Sequence, residues 1–253
     1  MTSTTDDTHA TQDAHGAHHA DDDHDAHMHE AMRAEGFAHD QPFWDNLYLS
    51  KDSLWSGNPN PQLVSEVAAL DLEAAPVQGT RRALDVGCGE GADAIWLAEQ
   101  GWEVTGTDLS AVALERAADH ARKRGGAVAE RITWLHVDLT EEPPAESAYD
   151  LVSAHFMHLP KKERLVLHQR LARSVAPGGF LLLVGHHPSD LEGAMPRPML
   201  PDLFATAPEI AATLDPAEWT VLVEESRART AEGPDGAPVT IHDAILRARR
   251  TGA

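Results

Sequence analysis

Cysteine and long apolar stretches are almost missing from this chain. Its one cysteine is Cys88, so a disulfide framework within the chain is excluded and a reducing compartment is expected. The longest strongly apolar run, residues 180–184, is far shorter than the roughly 20 residues that a membrane-spanning helix needs. The chain opens with Met1-Thr2-Ser3-Thr4 and stays polar, so we expect no signal peptide. These absences predict a cytoplasmic protein with no membrane partner.

Basic residues are also scarce. The 20 lysines and arginines face 41 acidic residues, which gives a formal net charge of −21. Proteins bind nucleic acids mainly by neutralising phosphates with cationic side chains, and a chain this acidic repels a polyanion. The small basic cluster at 122–124 fits the end of a helix, where cations are favourable. We therefore predict no nucleic-acid partner.

Residues 1–40 differ in composition from the rest of the chain. They hold ten acidic residues and a single base, and they have almost nothing large and apolar to bury, so we predict a disordered tail. The tail offers imidazole and carboxylate ligands for a transition metal such as zinc, nickel or copper. The alternative is a solvated tail that binds metal only incidentally. Eight of the sixteen histidines lie here, namely His9, His15, His18, His19, His24, His27, His29 and His39.

Residues 41–253 are predicted to form one domain in which strands alternate with helices. Short apolar runs bounded by glycine or proline indicate buried parallel strands, and apolar residues at helical spacing indicate the helices between them. This alternation predicts an α/β, doubly wound sheet. The predicted strands are 82–86, 102–107, 132–137, 149–154 and 180–185, and the predicted helices are 93–100, 111–124 and 161–176.

The last quarter of the chain breaks this alternation. Residues 188–217 are rich in proline and predict an excursion of loops and short helices. Two further strands, 219–224 and 239–248, follow with no helix between them, and the turn residues 231–236 join them. We therefore expect an antiparallel pair at the end of the sheet.

A glycine-rich turn lies between the first predicted strand and the next helix. It reads Leu84-Asp85-Val86-Gly87-Cys88-Gly89-Glu90-Gly91. Glycines let a backbone turn tightly and approach a ligand closely. Their G-x-G-x-G spacing, with an acidic residue ahead, departs from the G-x-G-x-x-G of dinucleotide-binding proteins.

This motif resembles motif I of the class I S-adenosylmethionine-dependent methyltransferases. The resemblance covers roughly residues 43–249 and implies a Rossmann-like sheet of order 3-2-1-4-5-7-6 with the last strand antiparallel. It implies S-adenosylmethionine as cofactor, bound at Asp85, Gly87, Cys88, Gly89 and Gly91. By position it also implies that Asp108, with Leu109 beside it, binds the ribose hydroxyls. It further implies that Asp138 and Leu139 contact the adenine, and that His155 lines the methionine end and the acceptor site.

Ahead of the first strand, the patterns Trp44-Asp45-x-x-Tyr48 and Trp55-Ser56-Gly57-x-Pro59-Asn60-Pro61 look like the lid of the tellurite-resistance and thiopurine methyltransferase group. Aromatic faces attract a sulfonium cation, so Trp55 is a candidate cofactor contact. The alternative is that these aromatics only hold the first helix against the sheet.

Methyl transfer needs a base only when the acceptor must lose a proton. In the expected strand order the fourth and fifth strands are neighbours, so His155, His158, His186 and His187 could converge at their tips, with His155 and His186 as catalytic candidates. A small metal site and simple packing are the alternatives for this group.

We expect two lid elements, 41–65 and 187–216, the second covering a small acceptor with Met195, Met199, Leu200 and Phe204. Two rival classes remain open: a non-catalytic cofactor-binding or metal-handling protein, and an NAD-dependent oxidoreductase.

Overall fold

The computed structural model describes residues 39–70, 79–193, 195, 197, 200–233 and 235–252. The predictions made for residues 1–38, including the metal-binding tail, and for Met199 fall outside these residues. Within the described part of the chain, none of the helices is both long enough and apolar enough to cross a membrane.

The domain is built on one seven-stranded sheet with the strand order β3-β2-β1-β4-β5-β7-β6. The first five strands are parallel, and β7 runs antiparallel to both of its neighbours. The predicted fold class and strand order are therefore confirmed. The strands are β1 (Arg82–Val86), β2 (Glu103–Asp108), β3 (Ile132–His136), β4 (Tyr149–His155), β5 (Val175–His186), β6 (Trp219–Glu232) and β7 (Pro238–Arg250).

Helices cover both faces of the sheet and fill the connections between its parallel strands. Two helices come before the first strand, and the first of them begins at Gln41 with its N-cap side chain, Asp40, bonded to the amide of Phe43. The helices are α1 (Gln41–Leu49), α2 (Pro61–Ala68), α3 (Ala92–Glu99), α4 (Ala111–Arg124), α5 (Gly126–Ala129), α6 (Lys161–Ser174) and α7 (Ala207–Ala211), and 3-10 turns span Pro188–Glu192 and Pro201–Leu203.

Successive residues of the central strands point to opposite faces, as the pleat requires. In β5, Phe180 and Leu182 pack on the face covered by α2 and α3. Their neighbours Leu181 and Leu183 pack on the face covered by α6 and α7. A strand buried on both sides reads as a continuous apolar run, which is why these strands were visible in the sequence.

Strand β5 begins earlier than predicted and contains the turn that was expected to precede it. The expected helix 161–176 ends at Ser174, and Val175 already pairs with Tyr149. The register then jumps to Leu151 opposite Phe180, so the Pro177-Gly178-Gly179 segment bulges out of the ladder with Gly178 at φ 80°. A β-bulge accommodates extra residues without ending the strand.

The final hairpin is much longer than the two predicted strands. Its strands pair from Trp219 opposite Arg250 to Glu232 opposite Pro238. The second half of β6 is charged and gives no apolar signal, but its arginines are neutralised: Arg227 bonds to Glu66 of α2, and Arg229 bonds to the buried Asp243 of β7. These long-range ion pairs extend the strand beyond the range that its hydrophobic pattern indicates.

A buried ion pair fastens the segment that follows α1 onto the glycine-rich turn. Glu90 is almost fully buried and accepts a hydrogen bond from Arg116 of α4 at 2.8 Å. Its other oxygen accepts from the amides of Leu54 and Trp55, each at 3.1 Å. Arg116 in turn donates to the carbonyls of Tyr48 and Lys51. One carboxylate and one guanidinium therefore hold residues 48–55 in place.

We expect Arg116→Met to lower the free energy of unfolding by about 3 kcal/mol, because it leaves the buried carboxylate of Glu90 without its cation. Urea unfolding measures this change. The matched control is Arg122→Met on the same helix, whose exposed pair with Asp119 should contribute less than about 1 kcal/mol. Equal losses in the two variants would contradict an anchoring role.

The buried His168 of α6 should make stability depend on pH. Burial, with a smaller effect from Arg164, lowers the pKa of His168 from 6.5 to about 4. Below pH 6.5, His168 is therefore protonated in the unfolded chain but not in the folded chain. The free energy of unfolding falls as the pH drops from 6.5 toward 4. In His168→Leu this loss should disappear, so that the variant gains about 3 kcal/mol relative to the wild type between neutral pH and pH ~4. If the free energy of unfolding changed equally in the two proteins across this pH range, His168 would not be the source of the pH dependence.

Candidate functional site

A cleft with about 620 Å³ of empty space lies at the carboxyl ends of β1, β2, β3 and β4. In open α/β sheets this edge is where ligands bind, because the connecting loops diverge there. The residues proposed for the site from the sequence that do line the cleft are Gly87, Asp108, Leu109, Asp138, Leu139 and His155. Cys88, Gly89, Gly91, Asp85 and Trp55 lie at or behind the turn and are not part of the cleft wall.

The three glycines of the turn all have positive φ, but they serve different contacts. A Cβ on Gly87 would lie 2.6 Å from the sulfur of Met157, and one on Gly89 would lie 2.9 Å from the hydroxyl of Tyr48. At these two positions a larger residue would displace Met157 and Tyr48, which both line the cleft. A Cβ on Gly91 would instead strike Trp134 and Ala117, so this glycine permits helix packing and does not face the cleft.

Asp108 ends β2 and has both carboxylate oxygens fixed by backbone amides. Oδ2 accepts from Gly89 and Oδ1 accepts from Ser110, each at 2.8 Å. Burial raises the pKa of Asp108, while these hydrogen bonds oppose the rise. The carboxylate is thus a rigid acceptor at the junction of the first two strands.

Asp138 occupies the equivalent place after β3. Its Oδ1 accepts from the amide of Thr140 at 2.8 Å and from the hydroxyl of Thr140 at 2.6 Å. This turn fixes the side chain and also exposes Leu139 and Thr140 to the cleft. Asp108 and Asp138 therefore present two oriented carboxylates from adjacent strands along one wall.

Asp85 and Cys88 are buried behind the turn. The pKa of Asp85 is raised well above its usual value by burial and by the neighbouring Asp93, although an amide hydrogen bond from Ala94 opposes the rise. Its Oδ2 has no hydrogen-bond partner among the described residues. Burial and Asp108 also raise the pKa of the Cys88 thiol, which makes it a weak nucleophile.

His155 ends β4 and is bonded to a carboxylate that sequence reasoning did not select. Its Nδ1 lies 2.7 Å from Oδ2 of Asp93, in the first turn of α3. The other oxygen of Asp93 accepts from the amide of Asn60 at 2.6 Å. Phe156 follows with φ 50°, a strained conformation for a bulky residue, and turns the chain so that His155 and Met157 both line the cleft. The only sequence signal for Asp93 was its place one residue into a helix after the glycines.

His186 was predicted as a second catalytic histidine, and the structure places it outside the cleft wall. It is buried, its ring stacks on Phe156 with centroids 4.6 Å apart, and its Nε2 lies 3.5 Å from Arg197. His158 lines the cleft and lies 5.7 Å from His186, whereas His187 is directed toward Ser189. The four histidines therefore do not converge on one point, and no three metal-ligating side chains of the described ranges form a metal site.

The aromatic side chains ahead of β1 close the turn from above. Trp55 donates its Nε1 hydrogen to the hydroxyl of Tyr48 at 3.0 Å, and both side chains sit over Gly89. Trp44 and Tyr48 line the cleft, while Trp55 does not. Burial and the charge of Asp108 raise the pKa of Tyr48 well above its usual value, so its hydroxyl remains a neutral donor and acceptor.

None of the described residues of the second predicted lid lines this cleft. Phe204 and Met195 are buried and Leu200 is partly exposed. Phe204 instead lines a separate cavity of about 630 Å³ against α6. Arg164 of that helix holds the excursion by donating to the carbonyls of Asp202 and Phe204. An acceptor lid at 187–216 stays a prediction.

The hydrogen-bonding groups around the cleft fit S-adenosylmethionine. The two oriented carboxylates can accept from a ribose and an adenine amine, and Oδ2 of the neighbouring Asp85 has no partner among the described residues. The surrounding carboxylates also suit a ligand that carries positive charge.

Comparison with known proteins agrees with this geometry. Residues 83–179 match the family model described as methyltransferase domain. The chain is 32 % identical over 151 residues to methyltransferase GfsG of Streptomyces halstedii, covering 56 % of this chain and 51 % of the relative. It is 30 % identical to the 2-heptyl-1-hydroxyquinolin-4(1H)-one methyltransferase of Mycobacteroides abscessus, covering 56 % and 61 %, and 31 % identical to the 27-O-demethylrifamycin SV methyltransferase of Amycolatopsis mediterranei, covering 57 % and 52 %.

Solved structures share the fold at low identity. TehB from Haemophilus influenzae superposes with a TM-score of 0.57 at 17 % identity, covering 83 % of this chain and 67 % of that one. The [4+2]-cyclase SpnF superposes with a TM-score of 0.54 at 21 % identity, covering 76 % and 82 %. Residues 83–179 therefore resemble a methyltransferase domain, and the chain shares its fold with these solved structures. It spans about half to three fifths of the length of the curated relatives it matches.

Replacing Gly89 by alanine tests the close approach of Tyr48 and Trp55. The new methyl group would contact both side chains, so we expect it to displace the indole, to change tryptophan fluorescence and to lower the free energy of unfolding. The matched control is Gly101→Ala, which has φ 90° and nothing within 4 Å of the new Cβ. It carries only the backbone cost of about 1–2 kcal/mol. Equal stability losses and unchanged fluorescence in both variants would contradict the packing.

Proposed function

We propose that this protein transfers a methyl group from S-adenosylmethionine to a small-molecule acceptor. The observation that carries the proposal is the pair of oriented carboxylates, Asp108 and Asp138, at the tips of adjacent strands beside a glycine-rich turn. The matched methyltransferase-domain segment, 83–179, contains this turn and both carboxylates.

Each part of the cleft has a task in this proposal. Asp108 would accept hydrogen bonds from the ribose hydroxyls, and Asp138 with the backbone at Leu139 would hold the adenine. The turn at Gly87 would take the methionine end, and Asp85, buried behind this turn with an unpartnered oxygen, would support it there. When bound, the cofactor supplies an electrophilic methyl group on a sulfonium that is a good leaving group.

The residues around the cofactor do the rest of the work by position. Alignment of an acceptor with the methyl group can supply roughly 7–11 kcal/mol of the barrier. Trp44, Tyr48 and Met157 wall the methionine end of the cleft, and a dry site strengthens every electrostatic contact within it. The displacement itself requires no proton transfer to a protein group, unless the acceptor must lose a proton.

The acceptor in this proposal is specified only as a class, namely a small molecule. Several curated relatives are named for small-molecule substrates, including a hydroxyquinolone and a rifamycin. The net charge of −21 disfavours a nucleic-acid acceptor. The partly apolar wall of Val86, Val137, Leu139 and Met157 suits a compact organic molecule.

Binding of S-adenosylhomocysteine to the full chain tests the cofactor assignment. We expect a rise in Tm and micromolar binding by calorimetry, and no effect of NADH. Asp108→Asn and Asp138→Asn should each weaken binding by about 10- to 100-fold, because a charged acceptor contributes roughly 1.5–3 kcal/mol.

Asp119→Asn, an exposed carboxylate on α4, is the control and should bind like the wild type. A Tm shift with NADH alone would favour an oxidoreductase. Binding without turnover of any acceptor would favour the non-catalytic alternative.

A further inference from the structure

We propose that His155 is a general base held in place by Asp93, and that the acceptor is therefore a hydroxyl compound such as a phenol or enol. This inference rests on the proposed methyl transfer and adds the acceptor class and a positioning residue. Neither Asp93 nor a proton-transfer step is needed for cofactor binding.

The hydrogen bond between the two residues fixes the protonation pattern of the ring. Asp93 Oδ2 lies 2.7 Å from Nδ1 of His155, and a carboxylate can only accept. The hydrogen of the neutral imidazole must therefore sit on Nδ1, which leaves the lone pair on Nε2. This is the tautomer that a base at Nε2 requires.

Asp93 is itself held so that it cannot turn away. Its Oδ1 accepts from the amide of Asn60 at 2.6 Å. It also lies in the first turn of the eight-residue helix α3, where the helix dipole favours a negative charge. Both oxygens of Asp93 therefore have hydrogen-bond partners, and the orientation of the His155 ring is fixed.

The second nitrogen of His155 has no such commitment. Nε2 is buried and has no hydrogen-bond partner among the described residues. By contrast, His120 bonds to the carbonyl of Glu90 and His136 bonds to that of Leu109. His168, whose Nδ1 also lacks a partner among the described residues, does not line this cleft. A buried acceptor without a donor is costly, and a hydroxyl group entering the cleft would satisfy it.

A positioned base selects among acceptors by their need to lose a proton. Thiols ionise readily near neutral pH, and selenite and tellurite are already anions, so a base adds little for them. An amine that is already neutral attacks with its own lone pair and can release its proton afterwards. Removing a proton from a hydroxyl group during attack is where a positioned histidine contributes about 10²–10⁴-fold.

The hydroxyl proton of the acceptor passes to Nε2 of His155, and the acceptor oxygen forms a bond to the methyl carbon. The carbon–sulfur bond breaks and its electron pair goes to sulfur, which gives the methyl ether and S-adenosylhomocysteine. The imidazolium, stabilised by Asp93, returns its proton to water when the products leave.

The first test reads the ring directly and needs no turnover. In ¹⁵N-histidine-labelled protein, assigned by comparison with His155→Asn, we expect neutral His155 to carry its proton on Nδ1. In Asp93→Asn the side-chain oxygen remains bonded to the amide of Asn60, so the amide nitrogen faces the ring as a donor. The tautomer should then reverse, which places the proton on Nε2 and blocks the base. An Nε2–H tautomer in the wild type would overturn the proposal.

The second test separates base catalysis from cofactor binding. Asp93→Asn and His155→Asn should bind S-adenosylhomocysteine within about threefold of the wild type while losing about 10²–10⁴-fold in kcat on hydroxyl acceptors. The loss should be much smaller on 4-nitrophenol, which is already largely ionised, than on unsubstituted phenol. His120→Asn, on α4, is the control and should behave as the wild type.

The acceptor panel contains phenols, hydroxyquinolones, secondary alcohols, thiols, amines, selenite and tellurite, with methylated products detected by mass spectrometry. Methylation confined to thiols, amines or the oxyanions, or of no hydroxyl compound at all, overturns the acceptor class. Loss of cofactor binding in His155→Asn that matches its loss of rate overturns the base and makes His155 a cofactor contact. Failure of the wild type to bind S-adenosylhomocysteine would instead defeat the proposed function.

Discussion

The carboxylate of Glu90 is buried at the glycine-rich turn and receives hydrogen bonds from two separate stretches of chain. Arg116 reaches it from α4, and the amides of Leu54 and Trp55 reach it from the segment ahead of β1. Because a buried charge is tolerated only when it is fully paired, these partners must assemble together. The first segment of the domain is thereby laid across the turn, with Tyr48 and Trp55 over Gly89.

The same segment ahead of β1 also reaches the proposed base and its positioning residue. Beyond Trp55, the backbone reaches Asn60, whose amide fixes Asp93, and Asp93 fixes His155. The segment ahead of β1 thus orients groups on α3 and β4 as well as covering the cleft. These two roles explain why a segment that lines the cleft would also govern proton transfer in the proposed reaction.

The electrostatics of the cleft are set by carboxylates crowded into a poorly solvated region. Burial, with smaller effects from Asp93 and Asp108, raises the pKa of Asp85, and burial also raises the pKa of Asp108. Repulsion among these groups falls when a positive ligand enters, so a sulfonium with an ammonium group would relieve it in the proposed function. The shared fold does not decide this by itself, since a [4+2]-cyclase superposes on the same sheet and function resides in the site.

The sequence by itself determined the sheet and the positions of its tips. Short apolar runs and glycine punctuation predicted the five parallel strands, and the spacing around Gly87 pointed to the cleft, because both signals are local. Tertiary structure alone decided which groups meet. Asp93 and His155 are 62 residues apart, His186 turned toward Phe156 and Arg197, and the charged half of β6 became strand through Glu66 and Asp243. Such pairings depend on how elements pack in three dimensions, and no periodicity along the chain records them.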